Sequence, residues 1–243
     1  MITNDASVGS IAAQTPASIG VFEKFGIDYC CGGGRPFATA CRERGLAPEA
    51  VAAEIEAAAS LALPPARDWM RASLDELIVH ILSTHHEYLR AELPALEQRL
   101  AKTLEAHAAN HGERLRALQE VYSGLQEELY AHLHKEEIIL FPAIRELEAA
   151  HGEDRRPAPT PFGSLQNPIR VMRHEHDNAA KALERMRDLT GCYTPPPDAC
   201  ASYEALLAGL RRLDADLRQH IHLENNVLFP RAAELEAGSG EGR

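Results

Sequence analysis

No stretch of this chain comes near the roughly 18 consecutive apolar residues that a membrane-crossing helix needs. The opening MITNDASVGS also lacks the basic-then-apolar order of a secretory leader. A cytoplasmic location with no membrane attachment is therefore expected. Positive charge is scarce: 25 Lys and Arg against 36 Asp and Glu give a formal charge of -11. With no basic stripe to neutralise phosphates, a general nucleic-acid binder is excluded, and acidic partners are disfavoured. Cysteine is rare. The five that occur (Cys30, Cys31, Cys41, Cys192, Cys200) are odd in number and too few for a disulfide framework in 243 residues. No segment alternates apolar and polar residues in the manner of a half-buried strand. Histidine, by contrast, occurs 12 times.

Residues 1–62 read as a small helical domain. A helical pattern through SIGVFEKFGI is followed by the turn-forming CCGGG and two Ala-rich helical stretches. The two prolines of LALPPARDW mark a linker, after which Ser73 can cap a helix with Glu76 at the capping-box position. Four long helical patterns follow, near 73–104, 108–149, 165–189 and 199–236, separated by GEDRRPAPTPFGS and GCYTPPPDAC. The expectation is an all-α chain, a small N-terminal domain followed by an up-down four-helix bundle over 73–236, with EAGSGEGR as a disordered tail. Pro94, Pro142 and Pro230 fall inside or late in these patterns, where a missing N–H should kink the helix.

One phrase occurs twice. AHLHKEEIILFP at 131–142 returns as QHIHLENNVLFP at 219–230, 88 residues on, keeping His132 with His220, His134 with His222 and Glu136 with Glu224. Glu137 meets Asn225, so the carboxylate common to both copies is Glu136 and not its neighbour. The His132/Glu136 and His220/Glu224 spacings are i to i+4, which stacks each pair on one helical face, while His134 and His222 lie about 200° further round. At an offset of 90, Ile81, Leu82, His86, Glu87 and Leu93 meet Val171, Met172, His176, Asp177 and Leu183, a register that selects His86 over His85 and His176 over His174. The bundle thus reads as two copies of one helical hairpin, each giving a lone histidine and an HxxxE pair.

A single His/Glu pair at this spacing is usually a surface ion pair. Two matched pairs, each beside an apolar run and joined by two lone histidines, would be costly to bury unless something bound them. His86, His132, Glu136, His176, His220 and Glu224 are therefore candidate metal ligands. Imidazole with carboxylate suits iron, manganese or zinc. Four imidazoles and two bridging carboxylates supply about eight bonds, where two octahedral ions take about twelve. An oxo or hydroxo bridge adds two more, so about two positions remain for reactivity or metal release.

With DYCCGGG, HKEEIILFP, EHD at 175–177, TPPPDAC and HIHLENNVLFPR, the chain resembles the Repair of Iron Centres (RIC) family, di-iron proteins of the YtfE/ScdA/DnrN type. These motifs span nearly the whole chain, and the bundle is hemerythrin-like, lacking the additional histidine of the oxygen-carrying hemerythrins. The resemblance implies two iron ions held by His86, His132, His176 and His220 with Glu136 and Glu224 bridging. It also implies a stress protein that restores iron-sulfur clusters damaged by nitric oxide or oxidants, with damaged iron-sulfur proteins as partners. A di-iron enzyme reducing nitric oxide or peroxide, or a reversible oxygen or nitric oxide sensor, is the alternative. A homodimer is among the arrangements the sequence allows.

Cys30 and Cys31 stand side by side before Arg35 and an expected helix start, both of which would lower a thiol pKa and make one sulfur nucleophilic. They are the candidate thiol pair for transfer or redox exchange. The bland reading is two small apolar residues in a glycine turn. Cys41 is expected to be buried, Cys192 and Cys200 to be incidental, and His107, His111 and His151 to be solvated.

Overall fold

The computed structural model describes residues 2–62 and 67–240, the side chains of 239 and 240 excepted. Residues 63–66 of the expected linker and 241–243 of the expected tail lie outside that range. No strand forms among the described residues, only an isolated bridge between Ser7 and Pro36. The chain is all-α. Its helices are α1 (Val8–Gln14), α2 (Ser18–Phe25), α3 (Phe37–Glu43), α4 (Pro48–Leu61), α5 (Leu74–His80), α6 (Glu87–Lys135), α7 (Phe141–Gly152), α8 (Gln166–Thr190), α9 (Ala201–Leu223) and α10 (Phe229–Gly240). Among the described residues, three π-helical turns interrupt the long runs, Ile81–His86, Glu136–Leu140 and Glu224–Leu228. The expected disordered tail is helical through Gly240, carried by Ala, Glu and Leu, which are strong helix formers. No helix among the described residues is long and apolar enough to cross a membrane.

By packing, the chain falls into two units, residues 1–78 with 144–165 and 219–243, and residues 79–143 with 166–218. In the first, Phe22 packs between Tyr29 and Phe37, with ring centroids 6.4 Å from each, over buried Val8, Ile11, Val51 and Ile55. Burying each such side chain is worth about 1.5–3 kcal/mol. Gly26 ends α2 in the left-handed region (φ 64°), where a side chain would be strained. The capping box forms as the sequence suggests: Ser73 Oγ accepts from Glu76 N–H at 3.1 Å, and Glu76 accepts from Ser73 N–H at 3.0 Å. A second cap comes from far away, since Glu148 accepts from the N–H groups of Leu74 and Asp75 at 2.7 and 2.9 Å. Its repeat counterpart, Glu236, accepts from Leu165 N–H at 2.8 Å, just ahead of α8. The internal repeat therefore extends to helix capping.

In the second unit α6 is a hairpin. Its one non-helical residue is His107 (φ -117°, ψ 18°), and beyond it the chain folds back so that Tyr122 donates its hydroxyl to Leu93 O at 2.7 Å. The break falls at His107 and not at Pro94, which α6 carries within it. Pro142 and Pro230 are each the second residue of a helix that follows a π-turn. Gly209 allows close helix approach: a Cβ there would stand 2.6 Å from Leu96 Cδ2. After α8 the chain takes left-handed backbone at Gly191, Cys192 and Tyr193 (φ 55°, 57° and 59°). The turn is tied to a buried carboxylate, for Tyr193 donates its hydroxyl to Asp214 at 2.8 Å.

Candidate metal centre

The π-turns place candidate ligands. His86 is the last residue of the first, and Glu136 and Glu224 open the second and third. A π-turn widens the helix by one residue, a distortion often found where side chains must be re-aimed toward a site. Within the second unit, Glu136 has one histidine beside each oxygen, His86 Nε2 at 3.4 Å from Oε2 and His132 Nε2 at 3.3 Å from Oε1. His176 Nε2 lies 3.2 Å from His132 Nε2. These four side chains are brought together. In the first unit, His220 Nε2 lies 3.0 Å from Glu224 Oε1, the i to i+4 contact the repeat implies.

The neighbouring histidines go elsewhere. His174 is exposed, and His85, though buried, faces Asp216 with Nδ1 2.9 Å from Oδ1. His134 is exposed, but its repeat counterpart His222 is buried, edge-on to the Tyr29 ring at 5.5 Å and 3.0 Å from Asn226 Nδ2. Burial holds the His222 imidazole down, at about 4. Asn226 also donates to Tyr29 O at 3.0 Å, and Gly33 has no room for a side chain there: a Cβ would stand 2.8 Å from that same oxygen. Asn226 and His222 thus hold the cysteine turn; the copies share the histidine and diverge at Asn226, which meets Ile138.

Both glutamates are 0% exposed and all four histidines are buried. Burying a carboxylate costs several kcal/mol unless a cation or donors compensate it. The donor set is what a hard or borderline divalent ion accepts, so these histidine and glutamate groups fit a metal site.

Carboxylates behind the candidate ligands complete the arrangement. Glu137 Oε1 lies 2.7 Å from His86 Nδ1, and Arg90 donates to Glu137 Oε2 at 2.6 Å. Glu175 Oε2 lies 2.9 Å from His132 Nδ1 and is paired with Lys135. Each accepts a hydrogen bond from Nδ1–H, which fixes the tautomer with its lone pair on Nε2, the nitrogen that faces the buried carboxylate. Burial would raise both carboxyls, but hydrogen bonds from Arg90 and His86 hold Glu137 low, and those from His132 and Lys135 hold Glu175 at about 2. Sequence reasoning set Glu137 aside as a ligand; its place beside His86 depends on residues 51 apart. Glu137→Gln and Glu175→Gln should each weaken metal binding about 10–100-fold. Chelator competition checks the loss, and helicity by circular dichroism should be unchanged.

At the cysteine turn, Asp28 gathers the backbone. Its Oδ1 accepts from the N–H groups of Cys30 and Cys31 at 3.0 and 3.1 Å, and its Oδ2 from Gly32 N–H at 2.9 Å. The Cys30 thiol donates to Asp28 Oδ1 at 3.2 Å. Arg35, expected to act on these sulfurs, pairs instead with Glu43 at 2.8 Å. Cys30 is buried and Cys31 partly exposed, the sulfurs are 3.9 Å apart, and neither forms a disulfide. Cys41 is buried as expected, and burial, with Glu49 acting the same way, raises its pKa.

Buried imidazole and carboxylate groups on long antiparallel helices define a cation-binding bundle of hemerythrin type. The Hemerythrin HHE cation binding domain model matches residues 77–232, and the ScdA_N model, a domain of unknown function, matches residues 4–59. The chain is similar to the iron-sulfur cluster repair protein YtfE of Escherichia coli and of Citrobacter koseri. With each it is 37% identical over 233 residues, 96% of this chain and 98% of that protein. The same protein of Dickeya chrysanthemi is 37% identical over 230 residues, 94% and 96%. The chain belongs to the family of these proteins, an ScdA_N domain followed by a hemerythrin HHE domain.

Proposed function

We propose that this chain repairs iron-sulfur clusters damaged by nitrosative or oxidative stress by supplying iron from a labile binuclear site. In this reading His86, His132, Glu136, His176, His220 and Glu224 hold two iron ions joined by an oxo or hydroxo bridge. Cys30 and Cys31 assist transfer, and the chain works in the cytoplasm on damaged iron-sulfur proteins. The domains take the bounds 1–62 and 73–236. The observation that carries the reading is a fully buried carboxylate with imidazoles around it in each half of the repeat: Glu136 with His86 Nε2 and His132 Nε2 at 3.4 and 3.3 Å and His176 beside His132, and Glu224 with His220 Nε2 at 3.0 Å. The relatives' name, iron-sulfur cluster repair protein, supports the same direction. Iron is here the cargo, and the imidazoles and carboxylates bind and release it.

The test is anaerobic. The ferrous-loaded protein is mixed with an iron-sulfur enzyme inactivated by nitric oxide, and iron on each partner is counted as activity returns. Recovery should track iron transfer, and a Cys30→Ser/Cys31→Ser protein should stay loaded yet fail to restore activity. Recovery with all iron retained on this protein would overturn the donor role. Consumption of nitric oxide over many turnovers without recovery would make it a di-iron enzyme.

A further inference from the structure

The tip of the α6 hairpin and the start of α9 carry a second group of reactive side chains that iron handling does not use. α6 leaves helical geometry at His107, and the His107 Nε2 lies 3.2 Å from Cys200 Sγ. Cys200 immediately precedes α9, and its carbonyl accepts from Glu204 N–H at 3.0 Å, as a capping residue's does. Its sulfur therefore stands at a helix N-terminus, where unsatisfied N–H groups and the helix dipole favour an anion. The side chain is exposed. Around the pair, His111 Nε2 is 2.8 Å from Asp198 Oδ1, and Asn110 reaches the other Asp198 oxygen at 3.3 Å. The Asp198 carboxylate, two residues before Cys200, is thus engaged by α6. Arg114 lies 3.2 Å from His111 Nδ1, and the Tyr203 ring packs 5.2 Å from that of His107.

We propose that Cys200 and His107 form a thiolate–imidazolium pair, a reactive thiol site that exchanges with low-molecular-weight disulfides. The Cys200 thiolate attacks one sulfur of the disulfide RSSR and forms a Cys200–S–SR bond as the S–S bond breaks. The second sulfur leaves as RS⁻ and takes the proton of the His107 imidazolium. Cys200 is oxidised, the departing thiol is reduced, and no further reagent is needed. Three independent features converge on the sulfur: a base within hydrogen-bonding reach, a helix N-terminus, and access from solvent. Hydrogen bonding to His107, joined by the N–H of Tyr203, lowers the Cys200 thiol to about 7. The site is independent of the iron reading.

A thiol titrating near 7 holds about fifteenfold more thiolate at neutral pH than an ordinary one near 8.5. Its lower basicity costs about fivefold in nucleophilicity. The balance changes sign with pH. Against a cysteine peptide in the same tube, Cys200 should react with dithiodipyridine about sixfold faster near pH 6 and about fourfold slower near pH 9. The readout is peptide-resolved mass spectrometry of the full-length protein under anaerobic conditions. His107→Gln should abolish the crossover, and Cys200→Ser should remove this reactive thiol and leave iron loading unchanged. An ordinary-thiol profile for Cys200 in the natural protein would overturn the proposal, whether or not any variant folds. So would a His107→Gln protein, folded by circular dichroism, that keeps the crossover.

Discussion

A Glu136→Leu protein should lose most of its iron and yet, with both proteins stripped of metal, unfold at a higher temperature than the natural one. Glu136 is 0% exposed and has a histidine beside each carboxylate oxygen. If it bridges two ions, leucine takes a ligand from both, and iron per chain should fall from about two to below about one. The metal-free protein responds in the opposite sense, because a fully buried polar carboxyl group is replaced by an apolar side chain of similar size. Replacing a whole buried ion pair by apolar side chains is neutral or stabilising by up to about 4 kcal/mol, and exchanging this one carboxyl group should give part of that gain. Glu224→Leu should behave in the same way, being equally buried at the start of its own π-turn. Metal analysis after anaerobic loading and thermal unfolding in chelator measure the two effects. A variant that kept both irons would show that Glu136 is no ligand, and a marked loss of apo-protein stability would make it a structural residue.

The ligand candidates were legible because the chain states them twice. Comparison of the two phrases separated Glu136 from Glu137 through Asn225, and helical geometry supplied the His132–Glu136 and His220–Glu224 contacts. The π-turns were not legible, since one extra residue in a helix leaves its apolar periodicity almost unchanged. Two of them did leave a trace. Pro142 and Pro230 stand just past Glu136–Leu140 and Glu224–Leu228, where an interrupted hydrogen-bond ladder tolerates a missing donor. The turn at Ile81–His86 has no such marker.

Residues that act on other residues were the least visible. Glu175 was read only as part of EHD, yet it holds His132 in place from 43 residues away. Cys200 has no cysteine at a metal-binding spacing and His107 lies in a polar segment, so the sequence marks them only as incidental and solvated. The hairpin break and the start of α9 bring them together across 93 residues. A repeat reports what both copies share; Glu137 and Asn226 lie where the copies differ, Cys200 lies where no repeat exists, and His222 is buried where its counterpart His134 is exposed.

The largest loss of folding stability is expected at Asp214, which lies outside the repeated phrases. Asp214 is 1% exposed and accepts from Arg218 Nε at 2.7 Å, Arg187 Nη2 at 3.1 Å and the Tyr193 hydroxyl at 2.8 Å. Arg218 is itself nearly buried, so Asp214→Ala leaves a buried guanidinium without its counter-charge. That loss costs about 3–5 kcal/mol. It also frees the Tyr193 hydroxyl, one of the ties on a turn whose non-glycine residues Cys192 and Tyr193 have left-handed backbone. The other ties, Tyr193 N–H to Thr190 Oγ1 at 3.0 Å and Arg211 to Tyr193 O at 2.9 Å, remain. Tyr193→Phe should therefore cost only about 1–1.5 kcal/mol, the share of one hydrogen bond. In the double variant the Tyr193 change should add almost nothing to Asp214→Ala, because its partner is already gone. Urea unfolding of the metal-free proteins measures all three. Full additivity would mean that Tyr193 and Asp214 act separately, and an Asp214→Ala protein as stable as the natural one would show that the two arginines find other partners.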